Sequence, residues 1–335
     1  MKHAKRTLSI ALAFLFCLVL VFPASASSAI DIELVHEQYA WGEMFVGGGR
    51  VGSFLIWHDG KLLYESHAKC HGMDTSQAMY SITKSVVAAL TGIALQLGYL
   101  ECTSQKVIDF FPEARIRAGQ ESKHDMTIAH LLTMTSGMPG MGDSGSTNNF
   151  FNPFDSGRAA FTTPQLDAPG ETFRYCSGAT PQTLVGLLQR ATGRNLLCFA
   201  QEHLFGPLEM NSVRWDTTWD GSSFGGFGIH MSPRDMLIFG QFHLQNGMWN
   251  GQQILPVDWI ARSHPHLESG FGLDYGYMFW GGENDLGEFF SAMGMGGNII
   301  SIYPALDLIV VRTGNQDWWM HAFTFGIRLL SFSIF

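Results

Sequence analysis

Ser81-Ile82-Thr83-Lys84-Ser85-Val86-Val87-Ala88-Ala89-Leu90-Thr91-Gly92-Ile93-Ala94-Leu95-Gln96-Leu97 opens on a serine and a lysine three positions apart and continues as an almost wholly apolar run. Residues at that spacing share one face of a helix. The run predicts a helix buried on most sides, with a lysine at its head that is costly to desolvate unless it has a task. A serine hydroxyl is a poor nucleophile at neutral pH and needs a base within hydrogen-bond reach. A partly buried lysine is pushed towards its neutral form and suits that role. The four-residue S-x-x-K pattern is common by chance; its place at the start of a buried helix gives it weight.

The chain has 335 residues, 46% of them hydrophobic and 15% charged, which leaves room for a substantial core and excludes a disordered polymer. Acidic residues outnumber basic ones, 29 to 20, and Lys2, Lys5 and Arg6 sit at the extreme N-terminus. Without those three cations the net charge is −12 instead of −9. No basic run remains, so a nucleic-acid partner is not expected.

The basic N-terminus leads into an apolar run from Leu8 to Phe22 and then Pro23-Ala24-Ser25-Ala26. This is the pattern of a signal peptide over residues 1–26, cut before Ser27; an uncleaved anchor is the alternative. Thr91, Gly92, Gln96 and Gly98 interrupt the later apolar run, short of the roughly 20 residues needed to span a bilayer. The mature protein, residues 27–335, is expected to be exported, periplasmic or secreted, with no stable membrane insertion. Four cysteines remain. Cys70 and Cys102 bracket the apolar helix and are candidates to pair, while Cys176 and Cys198 read as small core residues. There is no C-x-x-C, no H-E-x-x-H and no spaced His/Cys set. His264 and His266 read as surface residues. Neither a metal nor a cofactor is expected.

Gly52 to Trp57 and Lys61 to Glu65 flank Asp59-Gly60 and predict a β-hairpin. Ile30 to Phe45 has mixed helical periodicity. Between residues 84 and 262 the segments read as mostly helical. Thr127 caps a short helix, Thr180–Ala191 and Leu196–Leu204 are amphipathic, and Ser232-Pro233 opens a helix to Leu244. Gly137 to Arg158 is a long Gly/Ser/Asn/Phe loop that also contains an aromatic stretch from Phe150 to Phe154. Strands return at Tyr275–Trp280, Glu288–Ala292, Asn298–Tyr303 and Leu308–Thr313, with a closing helix at His321–Ile334. The expected architecture is α/β (α+β): residues 27–83 and about 263–335 supply one sheet, and the helical region between them makes a cleft at the junction. Ser81 heads a helix on its floor.

Two further stretches complete a constellation. Pro169-Gly170-Glu171-Thr172-Phe173-Arg174-Tyr175-Cys176-Ser177 holds a tyrosine at a cleft edge, where a nearby ammonium favours its phenolate and proton shuttling. Ser291-Ala292-Met293-Gly294-Met295-Gly296-Gly297-Asn298 puts small residues at the end of a strand, where a substrate carbonyl can approach backbone N–H donors. Gly142-Asp143-Ser144-Gly145-Ser146 looks like a trypsin-type nucleophile stretch, but only fourteen residues separate Ser144 from His130 and no β-barrel pattern accompanies it.

In this order the three pieces resemble the serine β-lactamase and penicillin-binding-protein superfamily. Leu131 to Gly137, Leu204 to Leu208 and Tyr275-Gly276-Tyr277 before Trp280 look like it too, so the resemblance runs from about Val51 to Thr313. Within the superfamily the chain is similar to β-lactamase-related esterases and amidases, including 6-aminohexanoate-dimer hydrolases. The resemblance implies a β-lactamase/transpeptidase-like fold with an antiparallel sheet. It implies Ser81 as acyl-accepting nucleophile, Lys84 as general base and Tyr175 as proton relay, with the N–H groups of Ser81 and Gly294 as oxyanion hole. Which of Lys84 and Tyr175 acts first stays open.

Two departures matter. The family's Lys-Thr-Gly triplet falls on Ser291-Ala292-Met293, and Ser177 stands where an asparagine is usual. The cation that would receive a substrate carboxylate is missing. A small-molecule ester or amide without that anionic handle is therefore the expected substrate, with Ser177 and Ser291 as candidate substrate contacts. The alternatives are β-lactamase or D,D-peptidase activity, or a non-catalytic penicillin-binding-like protein.

Overall fold

The computed structural model describes residues 30–40, 51–143 and 156–314. The first apolar run forms β1 (Val51–His58), and Asp59-Gly60 turns the chain into β2 (Lys61–His67). Both turn residues have positive φ, 47° and 75°, the backbone of a type I′ hairpin. β3 (Gln77–Ala78), β4 (Arg214–Trp215) and β5 (Ile229–Met231) make a small sheet in the order β3-β5-β4. β6 (Met248–Trp249) and β7 (Gln252–Gln253) form a short hairpin. The chain then returns as β8 (Leu267–Glu268), β9 (Asp274–Tyr275), β10 (Trp280–Asn284), β11 (Gly287–Gly294), β12 (Asn298–Tyr303) and β13 (Leu308–Gly314).

The main sheet is antiparallel, in the order β2-β1-β13-β12-β11-β10-β9-β8. It is built from both ends of the chain, as expected: Val51 lies opposite Gly314 and His58 opposite Leu308. Every residue of β12 and β13 is buried, which is why these strands read as continuous apolar runs instead of alternating ones.

The helices that frame the site include α1 (Ile32–Ala40), α2 (Ile82–Gln96), α3 (Ile128–Leu132), α4 (Ala179–Thr192), α5 (Leu196–Ala200) and α6 (Pro233–Leu244). α2 is buried continuously from Ile82 to Ala94. Its large apolar side chains contribute about 1.5–3 kcal/mol each, and its polar ones are satisfied locally. Ser85 Oγ donates to Met278 O at 2.6 Å, Thr91 Oγ1 donates to Val87 O at 2.9 Å, and Thr83 Oγ1 accepts from Ile229 N. α6 starts at a Ser232 capping box with Asp235 and packs on β12 and β13 through Gly240, where a Cβ would lie 2.9 Å from Ile309. Among the described residues no helix is long and apolar enough to cross a membrane.

Several expectations need correction. Tyr275–Trp280 is not one strand. β9 ends at Tyr275, Gly276–Phe279 forms a tight turn with Met278 at φ 58°, and Trp280 re-enters as β10 opposite Tyr275. Tertiary packing forces the turn: a Cβ at Gly276 would sit 2.3 Å from Ser263 O. Leu196–Leu204 is helical but passes from α5 into a π-helical turn at Gln201–Phe205. Cys198 is exposed because Leu196 and Phe199 take the inward face; Cys176 is buried. Cys70 and Cys102 are free, exposed thiols and not a disulfide. His266 is exposed, but His264 is half-buried against Phe290, with ring centroids 4.7 Å apart. Residues 1–26, the end of the Ile30–Phe45 segment, the aromatic stretch at Phe150–Phe154 and the closing helix lie outside the described residues.

Candidate active site

Ser81 is delivered by a strained turn. β3 pairs with β5, Met79 N donates to Ile229 O at 2.8 Å, and Tyr80 then takes φ 51°, a left-handed conformation that costs a non-glycine residue about 1–3 kcal/mol. Ser81 follows as the N-cap of α2, and its side chain makes no capping bond. The hydroxyl is left for other partners.

Lys84, one turn on, is 1% exposed. Its Nζ donates to Ser81 Oγ at 2.9 Å and to Gly226 O at 2.7 Å, and lies 5.2 Å from the centre of the Tyr175 ring. No carboxylate is among these partners. Burial pulls its pKa from 10.5 down to about 7, against a smaller upward influence from Cys176. A lysine at that value is substantially neutral at physiological pH and can take a proton.

Tyr175 is held by a clamped loop. Gly170 N donates to Thr135 O at 2.7 Å, Arg174 N to Met134 O at 2.8 Å, and Met141 N to Tyr175 O at 3.1 Å. The Arg174 guanidinium is shared between Asp143 and Asp167. The Ser81 hydroxyl and the Trp280 indole both favour the ionised form of the Tyr175 phenol, yet burial outweighs both and pushes its pKa up to about 12. The expected phenolate is therefore corrected: the lysine beside it is itself partly discharged, and desolvation decides the sign. Tyr175 rests as a neutral phenol.

Gly294 ends β11 so close to α2 that a Cβ there would lie 2.0 Å from Met79 O and 3.3 Å from Ser81 N. Only glycine fits, and its backbone is brought beside the Ser81 amide. Pairing of β11 with β10 stops at the Ser291–Trp280 pair, so the last residues of β11 continue past β10. Ser177 reaches the site through its backbone: its carbonyl packs on Gly226, whose own carbonyl receives Lys84. Ser291 is not a cleft contact. It is wholly buried, and its hydroxyl is bonded to Ser301 on the neighbouring strand.

Two further residues belong to the site. The sequence pattern ends a strand at Trp280, yet Trp280 opens β10 and its ring lies 5.2 Å from the Tyr175 ring, centroid to centroid. Asn298 joins the site's parts: its Nδ2 donates to Ala78 O (3.2 Å) and Met295 O (2.9 Å), while Oδ1 accepts from Gln77 Nε2 (3.0 Å) and Gly314 N (3.2 Å). A polar residue right after two glycines was the available signal. His130, by contrast, closes the capping box of α3 with Thr127, and Asp143 holds Arg174, so neither belongs to a trypsin-like triad; Ser144 is outside the described residues.

The family model named Beta-lactamase matches residues 44–328. The chain belongs to the beta-lactamase family. Solved structures with similar folds include a Bacillus anthracis protein provisionally assigned as a 6-aminohexanoate-dimer hydrolase, at 19% identity and TM-score 0.65, covering 86% of this chain and 76% of that one. A D-stereospecific amidohydrolase from Streptomyces sp. matches at 15% identity and TM-score 0.64, over 84% of this chain and 95% of that one. A family VIII carboxylesterase matches at 17% identity and TM-score 0.65, over 84% and 90%. This beta-lactamase-family chain thus has the β-lactamase/transpeptidase-like fold, with Ser81, Lys84 and Tyr175 gathered at the junction of sheet and helices.

Proposed function

We propose that the protein is a serine hydrolase that cleaves an ester or amide through an acyl-enzyme at Ser81. The observation that carries this reading is the wholly buried Lys84 ammonium, 2.9 Å from Ser81 Oγ and brought down to about pKa 7. In its neutral form Lys84 takes the Ser81 proton as Oγ attacks the carbonyl carbon. The oxyanion is received by the N–H groups of Ser81 and Gly294. Tyr175, a neutral phenol, gives its proton to the leaving atom and is reprotonated from Lys84. Water then cleaves the acyl-enzyme along the same path in reverse. In this reading the enzyme works outside the cytoplasm, after removal of residues 1–26 as an export signal.

Ser291 supports ester or amide hydrolysis over β-lactam or peptidoglycan cleavage, because it is neutral and turned to Ser301 where a carboxylate-binding cation would be needed. A fluorophosphonate probe should label the purified protein and leave Ser81→Ala unlabelled. Equal labelling of the two would refute the assignment. Alongside, p-nitrophenyl esters should turn over while a chromogenic cephalosporin does not; the opposite order favours the β-lactamase alternative.

A further inference from the structure

Beside Tyr175 the cleft carries a run of aromatic rings that the acyl-transfer steps do not use. Trp280 lies 5.2 Å from the Tyr175 ring and 4.7 Å from Tyr275, measured between centroids. Phe173 packs 6.1 Å from Trp280 and 5.1 Å from Tyr275, and Phe271 packs 6.2 Å from Trp280 and 6.5 Å from Phe173. The run passes from buried to open: Tyr275 is 1% exposed, Phe173 and Trp280 are half-buried, and Phe271 is 49% exposed. The backbone at Phe271 is held in place. Its N–H donates to Ser269 Oγ at 3.1 Å, the same hydroxyl donates to Leu273 O, and Gly270 and Gly272 on either side supply φ values of 77° and 80°.

The cation next to Tyr175 in sequence is withdrawn from any anion here. Arg174 is neutralised by Asp143 and Asp167. The Trp280 indole beside the Tyr175 ring is uncharged. An apolar shelf of rings therefore adjoins the group that protonates the departing atom.

We propose that Phe173, Phe271 and Trp280 form a leaving-group subsite for an uncharged, ring-bearing alcohol. The assignment to the leaving group rests on the hydrolase reading, in which Tyr175 is the proton donor to that group. The Ser81 Oγ–acyl bond forms, the bond from the acyl carbon to the alcohol oxygen breaks, and that oxygen takes the Tyr175 proton as the ring leaves along the shelf. Water then returns Ser81 and releases the acid.

The test uses the purified protein and four esters. Benzyl acetate and methyl acetate release alcohols of nearly equal acidity, so their kcat/KM ratio reads recognition of the ring. Methyl phenylacetate moves the ring to the acyl side, and 4-carboxybenzyl acetate adds a charge to it. Benzyl acetate should be favoured over methyl acetate by about tenfold or more. Phe271→Ala and Phe173→Ala should each lower that ratio by about three- to tenfold, and Phe271→Tyr should keep it. Benzyl acetate should also exceed 4-carboxybenzyl acetate. The subsite is refuted if esters are cleaved without a benzyl preference, or with one that both alanine variants leave intact. It is likewise refuted if the variants weaken only methyl phenylacetate, or if the charged ester is the better substrate. Absence of turnover on all four esters and of Ser81 labelling would instead overturn the hydrolase reading itself.

Discussion

Replacing Lys84 by methionine should abolish turnover and make the protein more stable. Burial lowers the lysine from 10.5 to about 7. At roughly 1.4 kcal/mol per pH unit, holding that side chain in the folded protein destabilises it by about 4 kcal/mol at pH 7. Methionine has similar length and no charge to desolvate. It leaves Gly226 O without its 2.7 Å donor, a loss of about 1–3 kcal/mol. The net gain is about 2 kcal/mol, or about 4 °C in melting temperature for a domain of this size. The sign follows from linkage. Between pH 10.5 and about 7 the unfolded chain binds the proton and the folded one does not, so parent stability falls as pH falls through that window and levels off below it. The advantage of Lys84→Met should therefore be largest at pH 7 and below, and should shrink or reverse by pH 10. Urea unfolding followed by tryptophan fluorescence at pH 6, 7, 9 and 10 measures it. A variant less stable than the parent at pH 7, or a difference independent of pH, would refute the reasoning.

Gly294→Ala forces a Cβ to 2.0 Å from Met79 O, so β11 must shift from Ser81, and kcat for ester hydrolysis should fall by about 10²–10³-fold with the circular dichroism spectrum retained. His243 is buried among Phe239, Phe242 and Phe279, donates Nδ1–H to Phe239 O at 2.8 Å, and is lowered by burial to about 4. Its unfolded form protonates near 6.5, so stability should drop by about 3 kcal/mol as pH falls from 6.5 to about 4; urea midpoints at pH 4.5 and 7 should show that His243→Phe flattens this dependence. Asn298→Ala removes the bonds to Ala78, Met295, Gln77 and Gly314, and should lower unfolding free energy by about 3 kcal/mol together with activity, as read by urea titration and ester turnover.

The legible parts of the molecule are those whose cause is local or periodic. Asp59-Gly60 can only turn one way between two apolar runs, Ser232-Pro233 starts a helix by its own chemistry, and an apolar run behind Ser81 has to be buried. Ser81 and Lys84 come together because one helical turn joins them. What could not be read depends on distant contacts. The turn at Gly276 follows from the carbonyls of Ser263 and His264, and Trp280 meets Tyr175 only after β10 has found its place beside β9 and β11. The resting form of Tyr175 turned on burial of both phenol and ammonium, whereas the neighbouring charge was all that sequence displayed. Ser291 was found at its expected strand position, but only the cross-strand partner Ser301 shows where its hydroxyl is engaged.

The pairing of β1 with β13 also sets an order in time. Ser81, Lys84 and Tyr175 leave the ribosome well before Gly294 and Asn298, and β1 must wait for a strand encoded at the far end of the described chain. Contacts of such long sequence separation form slowly. Until β11 to β13 are made, the segment before Ser81 lacks the Asn298 bonds that fasten it, and the amide of Gly294 is not yet beside Ser81. On the proposed serine-hydrolase reading, a growing chain therefore carries its serine and lysine in a catalytically silent form, and hydrolytic competence arrives with the last strands.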